Sequence, residues 1–460
     1  MISVQNLLLR LNGNKWMFLL MVGLLMGSCD TIKLATNTSR PTKKRRPASK
    51  NRNTVKVDTV KWRKIPEKGD GPITDDLPMD SGYDLTSYKK DVYNVAMMIP
   101  LRSRINRNKT KWTKRAFRFV NYYAGVQMAM EDLNRKGKVI ALNVYDSEYS
   151  PQKVQQLWRK KELRSADVVI GPYHKQAMSY SVKKAKEYEK TLVSPWISAK
   201  NLTTNNPFYI QIRAGLFSHY YKMLDNAYKD FDDDQIYILL KKGDLKKRNE
   251  LMDIAGQMNI DERNIHLNFL YLDLDTVQFG KYVVDTTIMD QHDKSVFILP
   301  YAGSKDNDFV YDFLQKLELI KNNRNVIIYG MYKWLDYTEE IYEYINRMDV
   351  RICVNGLVDP NNEQVKKFKE RYYEKFGALP TDDAIEGYDL MLFIGEQLKK
   401  SGNKFHLTAH PKKQVGLQTV YDIQPIINTS GDKLRPDLDY YENAFVELID
   451  LRHYRFERLK

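Results

Sequence analysis

Cysteine is nearly absent from this 460-residue chain, which holds two, Cys29 and Cys353. Two thiols cannot build a disulfide framework, and Cys353, inside the apolar run VRICVNGLV, reads as a small core residue without chemistry of its own. Histidine is scarce too. There are seven, dispersed, and the closest pair, His406 and His410 in HLTAH, lacks the glutamate of the metalloprotease pattern, so no metal is expected. Asp232-Asp233-Asp234 reads as a turn ahead of a strand rather than a cation site. No Gly-x-Ser-x-Gly elbow, P-loop or Gly-x-Gly-x-x-Gly occurs, so nothing indicates an enzyme or a cofactor. Past the N-terminal region no apolar run is long enough to span a bilayer.

What is abundant is positive charge, +15 in total, but it is not spread evenly. Between Arg40 and Lys64 eleven Lys and Arg face a single acid, Asp58, so this segment alone carries +10. With two more charges at the N-terminus, the rest of the chain is left with about +3, far from the basic surface that nucleic-acid binding requires. Up to about Asp91 the basic segment is poor in apolar residues and rich in Pro, Ser, Thr and Asn, the composition of a disordered tether lying near anionic headgroups.

Arg10 and Lys15 precede the apolar stretch WMFLLMVGLLM (16–26), an export signal in form and short for a membrane span. It runs into Met26-Gly27-Ser28-Cys29, which resembles the lipobox of bacterial lipoproteins. That resemblance implies cleavage after residue 28, lipidation of Cys29 and a protein anchored by acyl chains in the cell envelope, facing the periplasm or exterior.

From residue 92 to 460 strand-like and helix-like patterns alternate. VYNVAMMIP, VIALNVYD, ADVVIGP and TLVSPWIS are separated by helical stretches, and a second series, QIYILL, SVFILP, NVIIYG and VRICVNGLV, follows Arg213. The order implies an α/β protein with two doubly wound parallel sheets and a cleft between them. Pro100-Leu101, Gly125, Asp132-Leu133-Asn134 before Gly137, Val144-Tyr145-Asp146, Ile170-Gly171-Pro172, Ser194-Pro195, Phe376-Gly377 with Pro380, Gly387-Tyr388-Asp389 and Gly416-Leu417 then occur in an order that resembles the type I periplasmic binding proteins, the fold of leucine/isoleucine/valine-binding proteins. The resemblance implies a clamp of two lobes joined by three crossovers that closes on a small ligand. It places lobe one at about 92–213 and 362–414, and lobe two at about 214–361 and 415–460, behind a signal peptide (1–28) and tether (29–91).

Strand tips at the carboxyl edge of such sheets carry the ligand contacts. After Gly171-Pro172 stand Tyr173, His174 and Lys175, where amino-acid-binding members have small hydroxyl residues; after Ser194-Pro195 come Trp196 and Ser198, then Lys200. The loop 102–118, opening with Arg102, holds eight Lys and Arg, no acid, and Trp112. Together these residues favour an anion over an amino acid. Asp146 is read as a cap, and Tyr301 and Tyr332 as the second lobe's wall. Two functions remain open: a solute-binding lipoprotein serving a membrane permease of ABC type, or a repurposed clamp acting as an envelope interaction or regulatory lipoprotein.

Overall fold

The structure is a computed structural model that describes residues 60–61, 82–108, 112–137, 139–199, 202–260, 265–272, 286–336, 339–407, 413–428, 437–452 and 455–459. Cys29, Lys200 and His410 lie outside these residues.

The apolar runs become the buried middles of two sheets. In the first, β2 (Val92–Ile99), β3 (Val139–Asp146), β4 (Val168–Ile170), β5 (Thr191–Ser194) and β6 (Tyr209–Gln211) are parallel. In the second, β7 (Ile236–Lys241), β8 (Asn268–Leu272), β9 (Lys294–Ile298), β10 (Asn325–Met331) and β11 (Asp349–Val354) repeat the arrangement. All three residues of β4 are buried, as a strand covered by helices on both faces demands. Among these parallel strands the order reverses once in each sheet, between β2 and β4 in the first and between β7 and β9 in the second. Each reversal opens a crevice at the carboxyl edge.

Helices Lys114–Arg135 and Asp382–Ser401 pack against each other through paired glycines. A Cβ on Gly125 would overlap the Ala384 carbonyl, and one on Gly387 would overlap that of Tyr122, so only glycine lets the two backbones meet. Thr113 caps the first helix by accepting the Ala116 N–H at 3.3 Å.

Two boundaries differ from expectation. After the small ribbon of β12 (Gln414–Val415) and β13 (Val420–Tyr421), strands β14 (Ile423–Asn428) and β15 (Asp437–Asn443) join the first sheet, β15 pairing parallel with β6. The last crossover therefore follows Asn443 rather than 414, and only β16 (Glu447–Arg452) and β17 (Arg455–Arg458) extend the second sheet, antiparallel beyond β11. The physical reason is that β6 leaves an open edge for β15 to pair with.

The folded body also begins before residue 92. Tyr83 and Leu85 pack against the first core, the Tyr83 ring lying edge-on to Phe208 at 5.5 Å. Ser87 donates to the Ser401 carbonyl at 2.6 Å, and Lys90 pairs with buried Asp167 at 2.5 Å. Val60–Lys61 forms β1, antiparallel to β14. These parts of 29–91 are not free tether.

Candidate functional site

The crevice between β2 and β4 is walled by rings. Gly171 holds φ +80°, and a Cβ there would press on the Met98 carbonyl, so the chain turns sharply out of β4. Tyr173 follows, with its ring 5.0 Å from Phe119 and 5.9 Å from Trp196. Trp196 also meets Phe119 at 5.0 Å and Tyr122 at 4.9 Å, both edge-on. It is 7% exposed, and among the described residues its indole Nε1 has no hydrogen-bond partner; the Tyr122 hydroxyl, also buried, has none among them either. Burial pushes the Tyr122 pKa well up.

Charge surrounds these rings. Arg118 donates from Nε to Asp383 at 2.5 Å while its guanidinium lies 5.8 Å from the Tyr173 centroid. Arg213, at the first crossover, donates to Glu386 at 3.3 Å. Burial raises the Glu386 carboxyl, against the pull of Arg213 and Arg118. Arg115 stacks on Tyr149 at 4.2 Å, and Tyr149 in turn meets His174 at 4.7 Å.

Of the residues singled out in the sequence, Tyr173 and Trp196 therefore touch, and His174 joins them through Tyr149. His174 is the N-cap of helix Lys175–Glu187, its Nδ1 accepting the Ala177 N–H at 3.4 Å. Lys175 is exposed at the first position of that helix, and Ser198 is half-buried in the turn after β5. The Arg102 backbone N–H bonds Asp146 at 3.0 Å, and the same carboxylate takes the Ser103 N–H at 2.7 Å, so Asp146 is a cap, though of the loop after β2. Arg118, Arg213, Asp383 and Glu386 were not foreseen as a group.

In the second lobe Tyr301 is buried at the β7/β9 crevice. Its hydroxyl accepts the Lys241 N–H at 2.6 Å and donates to Asp244 at 3.3 Å; its carbonyl accepts the Trp334 indole N–H at 3.0 Å. Lys247 donates to the Tyr220 hydroxyl at 2.9 Å. Tyr332 is half-buried over His219, ring to ring at 4.9 Å. His219 is fully buried, and burial holds it neutral, down to about 4, against the Asn355 side chain, which favours the charged form. Cys353 is buried, as expected, and burial drives its thiol pKa up. His406 is also buried, its Nε2 2.7 Å from the Pro207 carbonyl. Asp232 caps a short turn leading into β7, the role read from the triple aspartate.

No family model matches the chain, and no curated protein matches it. Among solved structures it is similar to a protein of Rhodospirillum rubrum described as a branched-chain amino acid ABC transporter, at 12% identity and a TM-score of 0.54, over 80% of this chain and 100% of that one. An ABC transporter substrate-binding protein of Desulfitobacterium hafniense, in complex with Leu, aligns at 13% identity and a TM-score of 0.48 over 80% and 100% of the two chains. The fold is thus that of the type I periplasmic binding proteins: two α/β lobes around parallel-dominated sheets.

Proposed function

We propose that this chain is a lipid-anchored solute-binding protein of the cell envelope, whose lobes close on a small anionic ligand handed to an ABC-type permease. The fold shared with a protein described as a branched-chain amino acid ABC transporter supports the general role. One observation carries the ligand reading: at the β2/β4 crevice two buried groups able to donate, Trp196 Nε1 and the Tyr122 hydroxyl, lack partners among the described residues, near Arg118 and Arg213 and the carboxylates these pair with. A buried donor without an acceptor costs roughly 1–3 kcal/mol, a cost that an incoming carboxylate or phosphate oxygen would remove. Hinge closure would then draw the second lobe over it, the closed state being selected by the ligand's own contacts.

A second reading has its own observation. Trp196 fills the space between Phe119, Tyr122 and Tyr173, and His174 occupies a helix N-terminal amide that could otherwise hold a carboxylate. On this reading the clamp is an envelope interaction or regulatory lipoprotein with little ligand binding.

Thermal-shift screening against aliphatic and aromatic carboxylates, amino acids, nucleotides and peptidoglycan fragments separates the two. A ligand at a hundred times its Kd should add about 2.7 kcal/mol of stability. Lys175→Ala, at an exposed helix start, should then weaken an anionic hit by roughly 1.5–3 kcal/mol and leave the melting temperature of the free protein unchanged. No hit across the panel would transfer the protein to the second reading. Intact-mass analysis of the membrane fraction tests the anchor: a mature chain starting at Cys29 without acyl mass would remove it.

A further inference from the structure

The loop after β2 and the start of helix Lys114–Arg135 carry exposed side chains outside the cluster of Trp196, Tyr122 and Arg118. Ile105 is 44% exposed, Trp112 40% and Phe117 55%, three large apolar side chains in one short stretch. Arg104, Arg107 and Lys114, also exposed, alternate with them, and no acid occurs between residues 102 and 118. Isolated exposed apolar residues are ordinary; interleaved with cations of one sign, and including Trp, they match the chemistry of a bilayer interface, where phosphates meet Lys and Arg while Trp, Ile and Phe enter the acyl boundary. An acidic protein would satisfy the charges but leaves the exposed Trp and Ile unexplained.

We propose that this face docks on an anionic lipid surface. Chain length supports the assignment if Cys29 is the anchor, a point that rests on the lipoprotein reading. About thirty residues separate Cys29 from Val60, where the chain pairs into the first sheet. Fully extended they reach on the order of 100 Å, and as a coil on the order of 30 Å. The body is thereby held within reach of the bilayer, so that even a weak surface is occupied at high effective concentration. Docking would turn the first lobe's carboxyl edge, and with it the β2/β4 crevice, toward the membrane.

The test uses the mature chain with Cys29→Ser, which removes the acyl anchor, and vesicles of phosphatidylcholine with or without phosphatidylglycerol. Cosedimentation should show binding that requires phosphatidylglycerol. The triple variant Ile105→Ser, Trp112→Ser, Phe117→Ser should bind about tenfold or more weakly, with its melting temperature unchanged because the side chains are exposed. Brominated lipid should quench the protein's tryptophan fluorescence, and Trp112→Phe, made in a Trp62→Phe background so that the basic segment carries no reporter, should abolish most of that quenching while retaining binding. Equal binding by the triple variant would assign lipid affinity to the basic segment 40–64 and overturn the proposal, as would quenching that survives Trp112→Phe. If the triple variant melts lower than its parent, Arg104→Ser with Arg107→Ser replaces it, and undiminished binding by that variant overturns the proposal equally. These measurements do not involve the ligand, so their failure leaves the solute-binding reading intact.

Discussion

The two lobes are built on one plan, and their switch-point crevices are finished differently. At β7/β9 the polar groups of Tyr301 are answered within the lobe: its hydroxyl by Lys241 and Asp244, its carbonyl by the Trp334 indole, and Lys241 itself by Asp306 at 2.6 Å. At β2/β4 the equivalent tryptophan, Trp196, is also buried, but its N–H is unanswered among the described residues. A satisfied network rigidifies, while an unsatisfied one is a cost that must be repaid by packing or by a ligand. The difference teaches that burial alone does not mark a binding edge. What distinguishes Trp196 from Trp334 is an indole N–H left without a partner among the described residues.

The largest effect that can probe this contrast is removal of the answered tryptophan. Trp334 is fully buried, and the Gly330 position has no room for a Cβ beside its ring. Trp334→Ala should cost roughly 3–5 kcal/mol in a urea melt, the range for emptying a large aromatic site, with the Tyr301 carbonyl stranded in addition. A loss under about 1 kcal/mol would mean that the second crevice is loosely built and that the contrast between lobes is not real.

Next in size is the residue that joins the lobes. Glu442, on β15 of the first sheet, accepts the Gly215 N–H at 2.6 Å and the Ser218 hydroxyl at 3.1 Å, both at the start of the second lobe's first helix, and also the Gln211 amide at 2.7 Å. Burial lifts its pKa to about 7, although the bonds from Gly215, Ser218 and Tyr440 pull the other way. A carboxyl whose folded pKa is raised contributes stability that is fully present below its unfolded value near 4.5 and is lost as pH rises through about 7. Wild type should therefore lose roughly 3 kcal/mol from this group between those limits. His219 and His406, held down to about 4 and about 3 by burial, act oppositely and lose stability as pH falls below 6.5. The measurement is accordingly the difference in pH slope between wild type and Glu442→Gln, which should appear between pH 4.5 and 7.5 whatever the variant's absolute stability. Parallel slopes would contradict the assignment.

Much of this arrangement is legible in the sequence because its signals are local. The apolar runs ending in Gly-Pro and Ser-Pro mark strand tips, and Tyr173 and Trp196 each stand one residue beyond them. Gly125 and Gly387 are readable as matching residues, although their reason, a close helix crossing, needs both helices. The charged group is not legible: Arg118 and Asp383 meet across 265 positions, and Arg213 and Glu386 across 173. No spacing rule connects such pairs. The return of β14 and β15 to the first sheet is hidden for a similar reason, since edge pairing is decided by which edge is open in three dimensions.

The smallest predicted effect on stability is the sharpest test of the contrast. Trp196→Phe keeps most of the ring that Phe119, Tyr122 and Tyr173 pack against and deletes the unpartnered N–H. The relief of a buried unsatisfied donor, roughly 1–3 kcal/mol, should offset most of the lost ring volume, so the net change should stay within about 1 kcal/mol. In Trp334→Phe the same chemical change breaks the bond to the Tyr301 carbonyl, so nothing offsets the lost volume and the cost should exceed that of Trp196→Phe by about 1–3 kcal/mol. Parallel denaturant melts measure both. For any anionic ligand found by thermal shift, Trp196→Phe should raise Kd about tenfold, the loss of one hydrogen bond to a charged group, while Trp334→Phe should leave it unchanged. Equal destabilisation by the two variants would mean that Trp196 Nε1 is answered in solution, and the first crevice would then be as closed a network as the second.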